Sequence, residues 1–202
     1  MKVIVFLYGF FVAMACQASP FPPDGFSELK DSEPRVSSLG FSFVPPSGEK
    51  WFEGFGPKKI MYLKQTNPVD LSFIAIATEM KVEKPVSSQK DLLDYVKSNI
   101  FDSSKKPSRY KNIVDTVEIE NSTDSYCVIY KQVMEDHKAK NLNGNKYLIL
   151  TNKGMLCVSL ENSQNLVLLF YSARATPNLN FPFIVKEGEE FIKSLKFIGT
   201  SG

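Results

Sequence analysis

His137 is the only histidine in the chain. It stands in MEDHKAKNLNG, a charged stretch that follows a strand-like run. Hydrolases built on serine or cysteine need a base held beside the nucleophile and usually a third group to orient it. A lone histidine among Glu, Asp and Lys reads instead as a solvated loop residue. One histidine also rules out a multi-histidine metal site within the chain. No H-E-x-x-H, C-x-x-C or phosphate-cradling glycine loop occurs. Gly54-Phe55-Gly56, followed by Pro57, reads as a turn. Glu118 and Glu120 share one side of a strand. Glu187, Glu189 and Glu190 open a helix, where acids favour the dipole. Nothing sets two acids across a cleft. The chain reads as non-enzymatic, with no catalytic residue, cofactor or metal.

Cys127 and Cys157 can pair in an oxidising compartment. If SYCVIYKQV, NKYLILT and MLCVSLE form a meander, the two cysteines sit two strands apart. That is about 9.6 Å at ordinary strand spacing, beyond the roughly 7 Å a disulfide can span. A bond therefore requires their strands to be neighbours. Two buried free thiols are the other reading.

The third cysteine, Cys16, follows a different pattern. Lys2 precedes an apolar run from Val3 to Met14, broken by Gly9. As a helix that run is about 18 Å long, too short for a bilayer core of about 30 Å. Ala13-x-Ala15 then supplies small residues for cleavage, so 1–15 reads as a signal peptide. Cys16 comes directly after, and the stretch resembles the lipobox of bacterial lipoproteins, whose cysteine is acylated and becomes residue one. Ala18 offers a second cut, which would give plain secretion. Gln17, where an Asp would suggest inner-membrane retention, points by the same resemblance to the outer membrane. The expected location is the outer membrane or periplasm of a bacterium, lipid-anchored at Cys16; the alternative is a secreted protein. Residues 16–37, rich in Pro, Ser and charge, read as the lipid-attachment cysteine and a flexible tether. Residues 38–202 read as a single domain.

Stepping along that domain, Phe41 and Phe43 alternate with Ser42 before Pro45-Pro46 ends a strand. A second strand follows near Lys59–Lys64. In DLSFIAIATEMKVE, Leu71, Phe73, Ala75 and Ala77 share one face and Ile74 and Ile76 the other, the pattern of a central strand. SSQKDLLDYVKSNI reads as a helix capped by Ser88, with Asp91 in the capping-box position. Its apolar stripe is Leu92, Val96 and Ile100. About five more strands follow, separated by Asn-Ser, Asn-Gly and Asn-Lys-Gly turns, the last at Asn152-Lys153-Gly154; then comes a second helix in FPFIVKEGEEFIKSLKF that starts at Pro182 and is weakened by Gly188. The order predicts an α+β fold: an antiparallel sheet of about seven or eight strands packed with two main helices.

GFSFVPPSGEKW resembles the opening of Mog1/PsbP-like domains, where a strand ends in proline and leads to a tryptophan. EEFIKSLKF resembles their terminal helix. The resemblance covers about Leu39 to Ile198. It implies an antiparallel sheet between helices, with no shared active site to carry over. Many members are bacterial lipoproteins, and others are non-catalytic accessory or binding proteins.

The formal net charge of the 202 residues is +2, which gives no general drive toward nucleic acid. The suggestive side chains are aromatic. KWFEGF gathers Trp51, Phe52 and Phe55 beside Lys50, Lys58 and Lys59, and TPNLNFPF adds Phe181 and Phe183. Aromatics are favoured at interfaces, and they also plug the ends of sandwich cores. The expected function is a binding or assembly-support role toward an envelope protein, with the membrane as a second partner through the N-terminal lipid. The alternative is a secreted protein that binds a small apolar ligand.

Overall fold

A computed structural model describes residues 21–37, 40–66, 71–102, 108–139, 144–179 and 182–198. The expected signal peptide, residues 1–15, and Cys16 lie outside the described residues. One sheet of eight strands dominates: β1 (Phe26–Glu28), β4 (Trp51–Gly56), β5 (Lys59–Lys64), β6 (Ser72–Lys81), β7 (Tyr110–Glu120), β8 (Ser125–Asp136), β9 (Leu148–Ser159) and β10 (Asn165–Ala175). Their spatial order is β1-β4-β5-β6-β10-β9-β8-β7, and neighbouring strands run antiparallel. A small second sheet joins β2 (Arg35–Val36), β3 (Phe41–Phe43) and β11 (Lys196–Phe197), with β3 in the middle.

Each face of the large sheet has its own cover. On one face lies α1 (Gln89–Asn99). Its fully buried Leu92 and Val96 pack with Val128, Tyr130, Leu156, Val158, Leu166 and Leu168. On the other lie α2 (Pro182–Lys193) and the small sheet. There Phe41, Phe43, Phe191 and Ile192 meet Trp51, Tyr62, Phe73 and Tyr171. The result is an α+β sandwich with a sheet between two helices.

The helix start follows its local chemistry. Ser88 Oγ accepts from the Asp91 N–H at 3.1 Å, and an Asp91 carboxylate oxygen accepts from Ser87 N–H at 3.0 Å. β6 occupies the central position that its two-sided pattern predicts, with Phe73, Ala75 and Ala77 buried on the α2 face.

Three expectations change. First, Asn152-Lys153-Gly154 is not a turn: NKYLILT and MLCVSLE fuse into β9, so four long strands follow α1 rather than five. Gly154 is there for space. A β-carbon would stand 2.7 Å from the Tyr130 ring and 2.8 Å from Phe170 Cβ, so only glycine lets the neighbouring side chains close over the strand. Second, WFEGFG is a strand, so Gly54-Phe55-Gly56 is not a turn. The chain turns later, at Pro57-Lys58, where Lys58 takes a positive φ of 58°. Third, residues 21–37, the described part of the expected tether, are docked. β1 pairs with β4 and β2 with β3. Phe26 lies over Gly54, where a β-carbon would stand 2.7 Å from its ring, and Phe21 packs edge-on against Phe52 at 5.0 Å. Proline-rich composition disfavours helix here but does not keep the chain off an exposed sheet edge.

Candidate functional site

The alternation of β4 divides the aromatic cluster. Trp51 is in the core and half-buried Phe52 is on the other face of the sheet. The Trp51 indole N–H donates to Ser47 O at 2.9 Å and to a Glu187 carboxylate oxygen at 3.0 Å. Phe181 lies outside the described residues. Phe183 falls in the first turn of α2, and its side chain lies outside them too. Of the five, Phe55 alone is shown projecting into solvent, 68% exposed.

Phe55 borders a groove of about 290 Å³ between the small sheet and the β4-β5 hairpin. Phe41, Phe43, Ile60 and Ala77 line its apolar part, and Val36, 69% exposed, lines it with Phe55. Lys58 and Lys59 stand at the turn. The wall formed by β2 is held by a charged clamp. Arg35 Nε donates to Glu53 Oε1 at 2.9 Å, Nη2 to Oε2 at 3.1 Å, and Nη1 to Asp31 Oδ1 at 2.7 Å. Tyr62 OH donates to Glu53 Oε1 at 2.8 Å. Burial pushes the Tyr62 phenol far above its ordinary pKa, and the Glu53 hydrogen bond adds to the shift. Ser37 Oγ donates to Glu79 on the same wall. The groove can hold an apolar group beside positive charge.

A second groove, of about 690 Å³, runs over Cys127, Met155 and Cys157, between residues 120–125 and the end of α2 with β11. The cysteines at its base are joined in a disulfide. They stand directly opposite each other on β8 and β9, with Cα atoms 4.2 Å apart. The two-strand separation of the meander reading disappears because β9 is one strand.

His137 is exposed. Its Nε2 lies 2.8 Å from Glu135 Oε2, and its ring is 5.4 Å from that of Tyr147. The hydrogen bond to His137 is the main cause holding the Glu135 carboxyl below its ordinary pKa. Among the described residues no group of three or more His, Cys, Asp or Glu side chains is placed to hold a metal. The α2 acids do not open the helix, whose first turn holds no acid; they are fasteners: Glu187 takes Trp51 and Lys64, Glu189 takes Lys153, and Glu190 takes Ser47.

Sequence reasoning missed the most buried charge. Asp136 is fully buried. Its carboxylate accepts from Arg109 Nε at 2.8 Å and Nη2 at 2.6 Å, and from Arg174 Nη1 at 3.0 Å. Burial alone would raise its pKa, but the two guanidinium groups override that and hold it below the ordinary value. The signal was available in strand parity: Asp136 falls on the same face of SYCVIYKQVMED as Val128 and Tyr130. Gln132 shares that face and donates to Asp115 at 2.8 Å. Nearby, Asn152 Oδ1 and Ser172 Oγ are buried with no hydrogen-bond partner among the described residues. Asp136 and Gln132 fasten this part of the sheet, and none of these groups lines either groove.

No protein-family model matches the chain, and no curated protein does. Among solved structures, human STARD10 is similar at 13% identity, covering 70% of this chain and 67% of that one, with a TM-score of 0.27. A likeness that loose carries no argument about fold or ligand.

Proposed function

We propose that this chain is an exported, non-enzymatic protein of the Mog1/PsbP-like kind. A lipid on Cys16 holds it to a bacterial envelope membrane, and its domain binds an envelope protein at the groove beside Phe55. The carrying observation is Phe55 itself. Its ring stands in water on the same strand face as buried Trp51, across from exposed Val36. A partner's apolar side chain entering between them would bury both and reach Phe41 and Phe43, while Lys58 and Lys59 favour an acidic flank. The balanced net charge supports a protein partner over nucleic acid.

A second reading, a secreted protein that takes a small apolar molecule, rests on the same apolar lining. The groove's 290 Å³ lies near the lower limit of about 300 Å³ for such sites. Two measurements decide. The intact mass of the mature protein should carry acyl chains on Cys16; an unmodified N-terminus ends the lipid anchor. A photo-crosslinking phenylalanine at position 55 should capture a discrete protein in living cells, and one at Lys90 on α1 should not. A bound small mass in native spectra, with no crosslink from position 55, replaces the first reading with the second.

A further inference from the structure

The two ends of the large sheet differ. β1 at one end has three residues, whereas β7 at the other has eleven and no strand beyond it among the described residues. A long open edge presents unpaired N–H and C=O groups to other chains. Apolar side chains accompany this one: Ile113, Val114 and Ile119 are 48%, 40% and 52% exposed. Its charges are sorted along its length, with Lys111 near the start and Glu118 and Glu120 at the end. Pairing with β8 shifts between Asn112 and Val114, where Ile113 is bulged out of register. Lys111 opposes Glu135 and Glu120 opposes Cys127 on β8, so Lys111 and Glu120 both point to the α2 face despite their odd spacing.

We propose that β7 pairs antiparallel with β7 of a second copy, about a two-fold axis through Thr116, joining two sheets into one. An edge meeting itself in antiparallel sense brings its basic end to its acidic end. With Thr116 opposite Thr116, Asp115 stands opposite Val117 and Val114 opposite Glu118. Beyond the bulge at Ile113, Asn112 meets Ile119 and Lys111 meets Glu120. Each opposed pair then points to one face, as an antiparallel ladder requires. The charge pair occurs twice by symmetry, and a threonine pair sits on the axis; both pair types are favourable across strands. Competing arrangements are worse. Parallel stacking in register lays Asp115, Glu118 and Glu120 beside their own copies. Sliding the antiparallel pair by one residue on each strand, toward the N-terminal end, puts Asp115 against Asp115. The bulge and the acids thus guard the edge against indiscriminate pairing while one register remains complementary to itself.

The test uses the full-length chain in detergent and follows its mass by sedimentation. The expected species has twice the chain mass. Lys111→Glu and Glu120→Lys should each weaken the dimer about tenfold or more, since each places like charges in two opposed pairs. The double reversal should restore it. Oxidation of Thr116→Cys should give a crosslink between positions 116 of the two copies, found by peptide mapping. Glu118→Cys should not self-link, because its own copy would lie about 14 Å along the strand. A single-chain mass at the highest soluble concentration overturns the proposal. So does a dimer indifferent to both reversals, a double reversal that fails to restore it, or equal crosslinking from position 118.

Discussion

Gly188 of α2 lies against the face of Tyr171: a β-carbon at 188 would stand 2.6 Å from Cγ and Cδ1 of that ring. Read from sequence, this glycine only weakens a helix. In the fold it sets how closely α2 approaches β10. Gly188→Ala gains about 1 kcal/mol of helix propensity and incurs an overpacking cost of about 1–3 kcal/mol. Because Tyr171 is buried and its ring cannot rotate away, the second effect should win. Denaturant unfolding should show net destabilisation, partly recovered by adding Tyr171→Leu. A Gly188→Ala chain more stable than the parent would contradict this packing.

Arg35 is the main fastening of residues 31–37 to the large sheet. Arg35→Ala leaves Glu53 with Tyr62 as its remaining named partner in a largely dry site. A cost of about 2 kcal/mol is expected, below the 3–5 kcal/mol of a fully buried pair. Limited proteolysis should then cut first within residues 21–37, while β5 to β10 stay protected. Arg35→Lys should not rescue, since an ammonium cannot hold both Glu53 oxygens in parallel.

Asp136 makes an acid-sensitive contribution. Its folded pKa is depressed, so its stabilisation is complete above the unfolded value of about 3.9 and is lost as pH falls through the folded value. Unfolding free energy should therefore be level in this respect above about pH 5 and decline below about pH 4. Asp136→Asn should lack that portion of the decline. At neutral pH it should be weaker than the parent by about 3–5 kcal/mol, because Arg109 and Arg174 lose their counter-charge. Superimposable pH profiles for the two chains would show that the cluster contributes nothing to stability.

The Cys127–Cys157 bond closes a sequence separation of 30 residues. On the chain-entropy account its loss costs about 3–4 kcal/mol. Dithiothreitol should lower the unfolding midpoint of the parent and leave a Cys127→Ala/Cys157→Ala chain unmoved. Equal responses of the two would mean that the bond is absent from the folded protein.

What the sequence disclosed was whatever its neighbours in sequence enforce. α1 carries its stripe and cap within a dozen residues, and β6 declares its central place by being apolar on both sides. What it concealed depends on partners far along the chain. Gly154 looks like a turn until Tyr130 and Phe170 are seen closing over it. Trp51, Phe52 and Phe55 look like one patch until the pleat sends Phe52 to the other side and the core takes Trp51, leaving Phe55 in solvent. Arg35 and Glu53 are 18 residues apart, and Arg109 and Asp136 are 27 apart. Strand parity turns Asp136 inward, but nothing local names the arginines that neutralise it, so polar composition alone reads as solvation. The groove beside Phe55 was legible only as an aromatic beside lysines. Its walls come from β2 and β3, and β2 lies in a segment whose composition suggested no fixed structure.

Docking of that segment also bears on reach. Phe21 already rests on Phe52, and β1 begins at Phe26. If Cys16 carries the proposed acyl chain, five backbone steps separate it from Phe21, a reach of at most about 18 Å. A leash running loose to residue 37 would extend at most about 75 Å. Under that proposed anchoring the body would ride against the lipid headgroups, and a partner would have to come to that surface to be met.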